Sequence, residues 1–228
     1  MTHRHFQDEL DALKARLVAM AGLAEEAVRS AVTALLERNE AMAKSVVSRD
    51  NAIDDLEIQI EETCVSLLAL QQPMARDLRL ITAAMKISGD LERVGDHAVN
   101  IAEAVHWLIE SPLFPVLPEI EEMVRLSTAM LRDALDAFIR GDTALAREIL
   151  KRDDRVDELH ENTFRILLTH MMEDPRKISA GMDLLLVSGN LERIADLATN
   201  ICEEGIYLVE GRVVKHHAEE RAQPAPTG

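Results

Sequence analysis

SGDLERVGDHAVNIAEAVHWLIE, residues Ser88 to Glu110, lies without a gap on SGNLERIADLATNICEEGIYLVE, residues Ser188 to Glu210, at a constant shift of one hundred residues. Ser, Gly, Leu, Glu, Arg, Asp, Ala, Asn and Ile recur in step, and Trp107 falls on Tyr207. Self-similarity at a fixed spacing marks an internal duplication. Upstream, DNAIDDL (Asp50 to Leu56) matches DDRVDEL (Asp153 to Leu159), so each half repeats a longer unit with a small length change at the turn.

Both copies carry apolar residues at alternating steps of three and four. One seam runs Leu80, Ala84, Ile87, Leu91, Val94, Ala98, Ile101, Val105, Leu108, and the other Leu184, Val187, Leu191, Ile194, Ala198, Ile201, Gly205, Leu208. That spacing places them on one face of an α-helix. Leu10, Leu13, Leu17, Met20, Ala24, Val28, Ala31 and Leu35 define a first helix, and Ile53, Leu56, Ile60, Thr63, Leu67 and Leu70 a second that stops at Pro73. The second half restarts with helices from about Glu119 to Ile139 and from about Thr143 to Met171, broken at Gly141 and at Asp174 and Pro175. The expected fold is all-α: two tandem three-helix bundles related by internal duplication, at 1–111 and 119–214. Between them the three prolines of SPLFPVLP give a stiff connection at 112–118, and a polar, Pro-containing tail at 215–228 reads as disordered.

Composition narrows the function. The 228 residues hold 41 acidic and 25 basic side chains, a formal charge of −16, with 47 % apolar but only 3 % aromatic residues. A pI near 4.9 opposes binding of a phosphate backbone, so nucleic acid is excluded as a first reading. No export signal or spanning segment is expected, which predicts a cytoplasmic protein meeting membranes only through partners. Cys64 and Cys202 share no CxxC spacing and fall on Leu167 and Ala102 in the repeat, as core thiols would.

Four acidic pairs share one spacing: Asp50 and Asp54, Glu92 and Asp96, Asp153 and Asp157, Glu192 and Asp196. Like charges four apart on a helix destabilise it by a few tenths of a kcal/mol. In antiparallel hairpins turning at Pro73 and at Asp174 to Pro175, the two pairs of each half stand at equal height beside the apolar seams. Four carboxylates then converge in each half, an oxygen-rich set suited to Fe, Mn, Mg or Ca, with Zn a further divalent candidate. Glu57, Glu61, Asn100, Glu103, Asn200 and Glu203 extend the stripes as second-tier ligands. Arg93 and Arg193 adjoin the acids and would neutralise part of their charge. No nucleophile with a paired base and no Gly-rich phosphate loop is present, so no enzyme is expected.

Over roughly His5 to Arg212 the chain resembles the PhoU family: HFQDELDALKARL near the start, DxxxD opening the second helix of each unit, and the doubled LERxxDxxxN motif. The resemblance implies multinuclear metal clusters on Asp50, Asp54, Glu92, Asp96, Asp153, Asp157, Glu192 and Asp196. Leu197 departs from it, because the family commonly has His there, and this predicts two unequal clusters. It further implies a cytoplasmic negative regulator of the phosphate-starvation response, acting through the ATPase subunit of a phosphate ABC transporter and a sensor histidine kinase. Exposed seam edges suggest a homodimer. Two alternatives remain: a ferritin-like di-iron oxidase, for which only Glu103 with His106 supplies the Glu-x-x-His motif, and a metal-free self-associating scaffold.

Overall fold

A computed structural model describes residues 2–110, 114 and 116–214, with side chains from 5 onward. Its helices are α1 (Thr2–Glu37), α2 (Glu40–Arg49), α3 (Asn51–Gln71), α4 (Ala75–Glu110), α5 (Pro118–Arg140), α6 (Thr143–Leu150), α7 (Asp153–Glu173) and α8 (Ile178–Glu210), with a 3₁₀ turn at Pro175–Lys177 before α8. Among the described residues there is no strand. Each half is three long helices plus one short one, and none of them is long and apolar enough to cross a membrane.

All eight apolar positions expected on the first helix are buried, as are Ile53, Ile60 and Leu67 on α3. Leu70, expected on the same seam, lies 74 % exposed because the helix ends a residue later and nothing covers its last turn. The span from Thr143 to Met171 is two helices, not one. Lys151 closes α6 with its N–H on the carbonyls of Glu148 and Ile149, and Asp153 and Asp154 open α7 in its first turn, where acids meet the positive end of the helix dipole.

The short helices are twins with equivalent caps. The Asn39 side chain accepts from the Met42 N–H at 3.1 Å, and the Asp142 carboxylate accepts from those of Ala144 and Leu145 at 3.1 and 3.0 Å. Such a cap satisfies N–H groups that the helix itself leaves free. The residue before each cap is left-handed, Gly141 at φ 66° and Arg38 at φ 52°. Glycine adopts that conformation without strain, whereas Arg38 is held there with its guanidinium donating to the Phe114 carbonyl at 2.7 Å.

The halves do not sit apart. Helices α4 and α8 pack antiparallel at the centre, with α1, α2 and α3 against α4, and α5, α6 and α7 against α8, around one continuous core. Lys86 on α4 reaches Glu204 on α8 at 2.9 and 3.1 Å, and Glu204 is itself buried. The connection between the halves joins the packing: Phe114 and Leu117 are buried and Pro118 begins α5, one residue earlier than the expected start. Its prolines 112 and 115, and the tail at 215–228, lie outside the described residues. Cys64 and Cys202 are buried free thiols, pushed by burial to about 11 and about 12, so they are poor nucleophiles.

Candidate metal centres

The turns that begin α3 and α7 place the first acid of each half. Asp50 links α2 to α3, and its carbonyl accepts from the Ile53 N–H at 2.7 Å. Asp153 is the first residue of α7. Each helix then carries a second acid one turn on, Asp54 or Asp157, while α4 and α8 present Glu92 and Asp96, or Glu192 and Asp196, from the opposite side. Gly95 makes room on α4: a Cβ there would stand 3.1 Å from Asp50 Oδ1 and 3.0 Å from Ile53 Cδ1.

Electrostatics shows which groups act on one another. Asp50 is raised by burial, then by Asp54 and Asp96. Glu92 is pushed up to about 6 by burial, then by Asp96, Glu57, Asp54 and Asp50. In the second half, Asp153 is pushed up to about 7 by burial, then by Asp196, Asp157, Asp154 and Glu192. Glu192 is raised chiefly by burial and by Asp196, and Asp196 chiefly by burial, against the pull of Arg193. Each expected pair on the first helix of a hairpin therefore lies in reach of the pair on the second. Asp96 and Asp157 are themselves exposed.

Glu57 joins the first cluster, raised by burial and then by Glu61, Asp54 and Asp96; Glu61 is exposed at its edge. Asn100 is diverted, its amide donating to Asn190 Oδ1 across the α4–α8 contact at 3.2 Å. Glu103 lines a surface groove with Trp107 and His106. His106 turns to Glu40 at 3.2 Å, so the pair forms no site of the di-iron oxidase type. Asn200 and Glu203 follow on α8, with Glu203 close enough to Cys202 to raise its thiol. Arg93 does not neutralise its cluster either: it pairs with the buried Asp90. Arg193 does, standing 3.5 Å from Glu192 and 3.8 Å from Asp196.

Two histidines at the second cluster stand outside the acidic pairs. His160 on α7 binds the buried Ser188 hydroxyl through Nδ1 at 2.8 Å and stabilises the charge of Glu192. His97, from the other half, binds Asn190 through Nδ1 at 2.8 Å and stabilises that of Asp196. His160 was legible by setting α7 on α3, where it falls on Glu57. His97 was not, because it arrives across the α4–α8 packing.

The expected donors are carboxylate oxygens, the kind a hard cation takes. Asp50, Glu57, Glu92, Asp153, Glu192 and Asp196 have raised proton affinities, and Asp153 Oδ1 is buried with no hydrogen-bond partner. Among the described residues, no three His, Cys, Asp or Glu side chains stand in ready-made ligating geometry. Asp50, Asp54, Glu92 and Asp96 would hold an ion in one half and Asp153, Asp157, Glu192 and Asp196 in the other, where a cation would supply the compensating charge.

Fold and clusters together define a class: a duplicated all-α bundle with one carboxylate cluster per repeat. The PhoU domain model matches residues 17–105 and 120–205, covering both repeats. The phosphate-specific transport system accessory protein PhoU homolog of Aquifex aeolicus (strain VF5) is 43 % identical over 216 residues, covering 94 % of this chain and 98 % of that protein. The Clostridium acetobutylicum homolog is 40 % identical over 215 residues, with the same coverage of each chain. The crystal structure of PhoU from Pseudomonas aeruginosa aligns with a TM-score of 0.87 at 40 % identity, covering 91 % of this chain and 100 % of that one. That of the phosphate transport system regulatory protein PhoU from Streptococcus pneumoniae aligns at 0.84 and 34 %, covering 92 % and 99 %. The chain belongs to the PhoU family, a family of regulatory accessory proteins and not of enzymes.

Proposed function

We infer that this protein is a cytoplasmic accessory regulator of phosphate uptake that binds metal ions at both carboxylate clusters and represses the phosphate-starvation response when phosphate is plentiful. Its partners on this reading are the ATPase subunit of a phosphate ABC transporter and the sensor histidine kinase of the phosphate two-component system, with a second copy of itself completing a homodimer. The regulatory part rests on the names carried by its relatives, accessory and regulatory proteins of phosphate transport.

The metal-binding part rests on one observation: Glu92 and Asp153 are held at about 6 and about 7 by burial and by neighbouring carboxylates. A bound cation would relieve that repulsion. Iron heads the candidates, with Mn, Mg, Ca and Zn behind it. The ion's task would be to fix the hairpins and their surface, without chemistry of its own.

Two measurements test this. Deleting the gene should switch on phosphate-scavenging genes in phosphate-rich medium; unchanged reporter output would end the regulatory reading. Protein purified without chelator should carry metal that a variant with Asp96→Asn and Asp196→Asn loses. Equal metal in both would remove the cluster assignment.

A further inference from the structure

The α7–α8 hairpin carries an apolar outer face that its fold does not require. Phe164, Leu168 and Met172 are spaced one turn apart on α7, and Ile178, Met182 and Leu186 likewise on α8. Since the hairpin turns at Asp174 and Pro175, they stand at three matched heights: Phe164 with Leu186, Leu168 with Met182, Met172 with Ile178. All six are exposed, from 41 % at Leu168 to 77 % at Met172.

The duplication supplies an internal control. On the same backbone the α3–α4 hairpin has Glu61 and Lys86 at one height, Val65 with Thr82 at the next, and Ala69 with Leu78 at the third. That half folds with charge and hydroxyl where its twin has Phe164, Met182 and Leu186. Those three apolar side chains are therefore not required for the hairpin to fold, although the twin hairpin exposes Val65, Leu70, Met74 and Leu78 of its own. Together the six on α7 and α8 expose on the order of 500–600 Å² along their hairpin, the upper end of what a monomer's largest apolar patch typically shows.

We propose that this α7–α8 face is the homodimer interface, covered by the same face of a second copy. Two copies would cover about 1,100 Å² in all, close to the lower bound for a stable interface. The matched heights make the face self-complementary. A two-fold axis in the interface plane sets apolar rows on apolar rows whether it stacks α7 on the partner's α7 or on the partner's α8, as an isologous contact requires. Met172 and Met182 supply flexible side chains that fill gaps between such rows. The proposal rests on the dimeric reading above and adds the face to it.

Sedimentation velocity of the full chain tests both parts separately. The native protein should sediment as a dimer at tens of micromolar, and Leu168→Glu combined with Met182→Glu should weaken dimerisation at least ~100-fold, because paired charges would be buried unpartnered. Its helicity by circular dichroism should be unchanged, and Val65→Glu with Thr82→Glu on the twin face should leave the dimer intact. A native monomer at 100 µM would overturn the dimer and the face together; a dimer indifferent to the α7–α8 charges would overturn the face alone. A folding-independent check is Met182→Cys treated with a short bis-maleimide, the buried Cys64 and Cys202 being inert. It should give a covalent dimer that Thr82→Cys does not, and the absence of one would overturn the face.

Discussion

At one helical position the two halves put different chemistry on the same backbone. A Cβ on Gly89 would lie 3.7 Å from Glu57 Oε1, and one on its twin Gly189 lies 3.9 Å from His160 Cε1. The first cluster thus gathers five acids, while the second has four acids and an imidazole. A second exchange follows from Asp90 and its twin Asn190. Asp90 takes Arg93 away from the first cluster; Asn190, neutral and occupied by His97 and Asn100, leaves Arg193 to Glu192 and Asp196. One duplicated site has become two: one whose neighbouring arginine pairs with Asp90 and one already partly compensated by Arg193. The difference teaches that a single substitution outside the acids can decide where the nearest arginine goes.

Asp50→Asn with Glu92→Gln, and separately Asp153→Asn with Glu192→Gln, should each abolish metal in its own half only, so that elemental analysis reads about half the native content in either variant. Loss of all metal in one variant would make the two clusters a single coupled site.

Replacing His160 tests whether the imidazole matters. Ser188 occupies Nδ1, leaving Nε2 as the nitrogen free to meet a metal. His160→Ala should weaken Zn binding by about 10–100-fold in titration calorimetry while changing Mg binding little. His160→Glu should make the second half behave as the first. Equal loss for both metals would mean that His160 only packs.

The metal-free protein should lose stability as pH rises. Glu92 and Asp153 have folded-state values of about 6 and about 7 against ordinary values of 4.5 and 3.8, so folding favours their protonated forms. Their contribution is full below about pH 4 and is lost as pH climbs through 6 and 7. Discounted for solvent screening, this amounts to about 1 kcal/mol, so Tm should be about 2–4 °C higher at pH 5 than at pH 8 in chelator. Metal should reverse the trend, since ligands must be deprotonated. A flat apo profile would mean that the carboxylates spread apart in solution.

The smallest effect should come from Asn190→Asp, which recreates the first half's arginine trap. With Arg193 withdrawn, the second cluster should bind Mg about 3–10-fold more tightly, as expected from one nearby positive charge at partial exposure. Unchanged affinity would show that Arg193 is already screened by water.

Much of this was legible in the residues because helices are local. Leu10 to Leu35 announce their buried face by spacing alone, and the matched positions of the acids about Pro73 and Asp174 give the height at which they meet. Two things were not. The break at Lys151 and Arg152 hides inside an unbroken apolar pattern, because a turn cap can interrupt a helix without a glycine or proline. Asn100 reads as a member of its own stripe, yet it bonds, as His97 does, to Asn190 in the other half.

The amino-acid order by itself determined the duplication, the helices and the placing of eight acids about two hairpin turns, since each depends on residues within one turn or one hairpin. The tertiary structure alone decided the inequality of the groups. The antiparallel packing of α4 on α8 brings residues about a hundred positions apart within hydrogen-bond distance, and that proximity selects the partners of Arg193, His97 and Asn190.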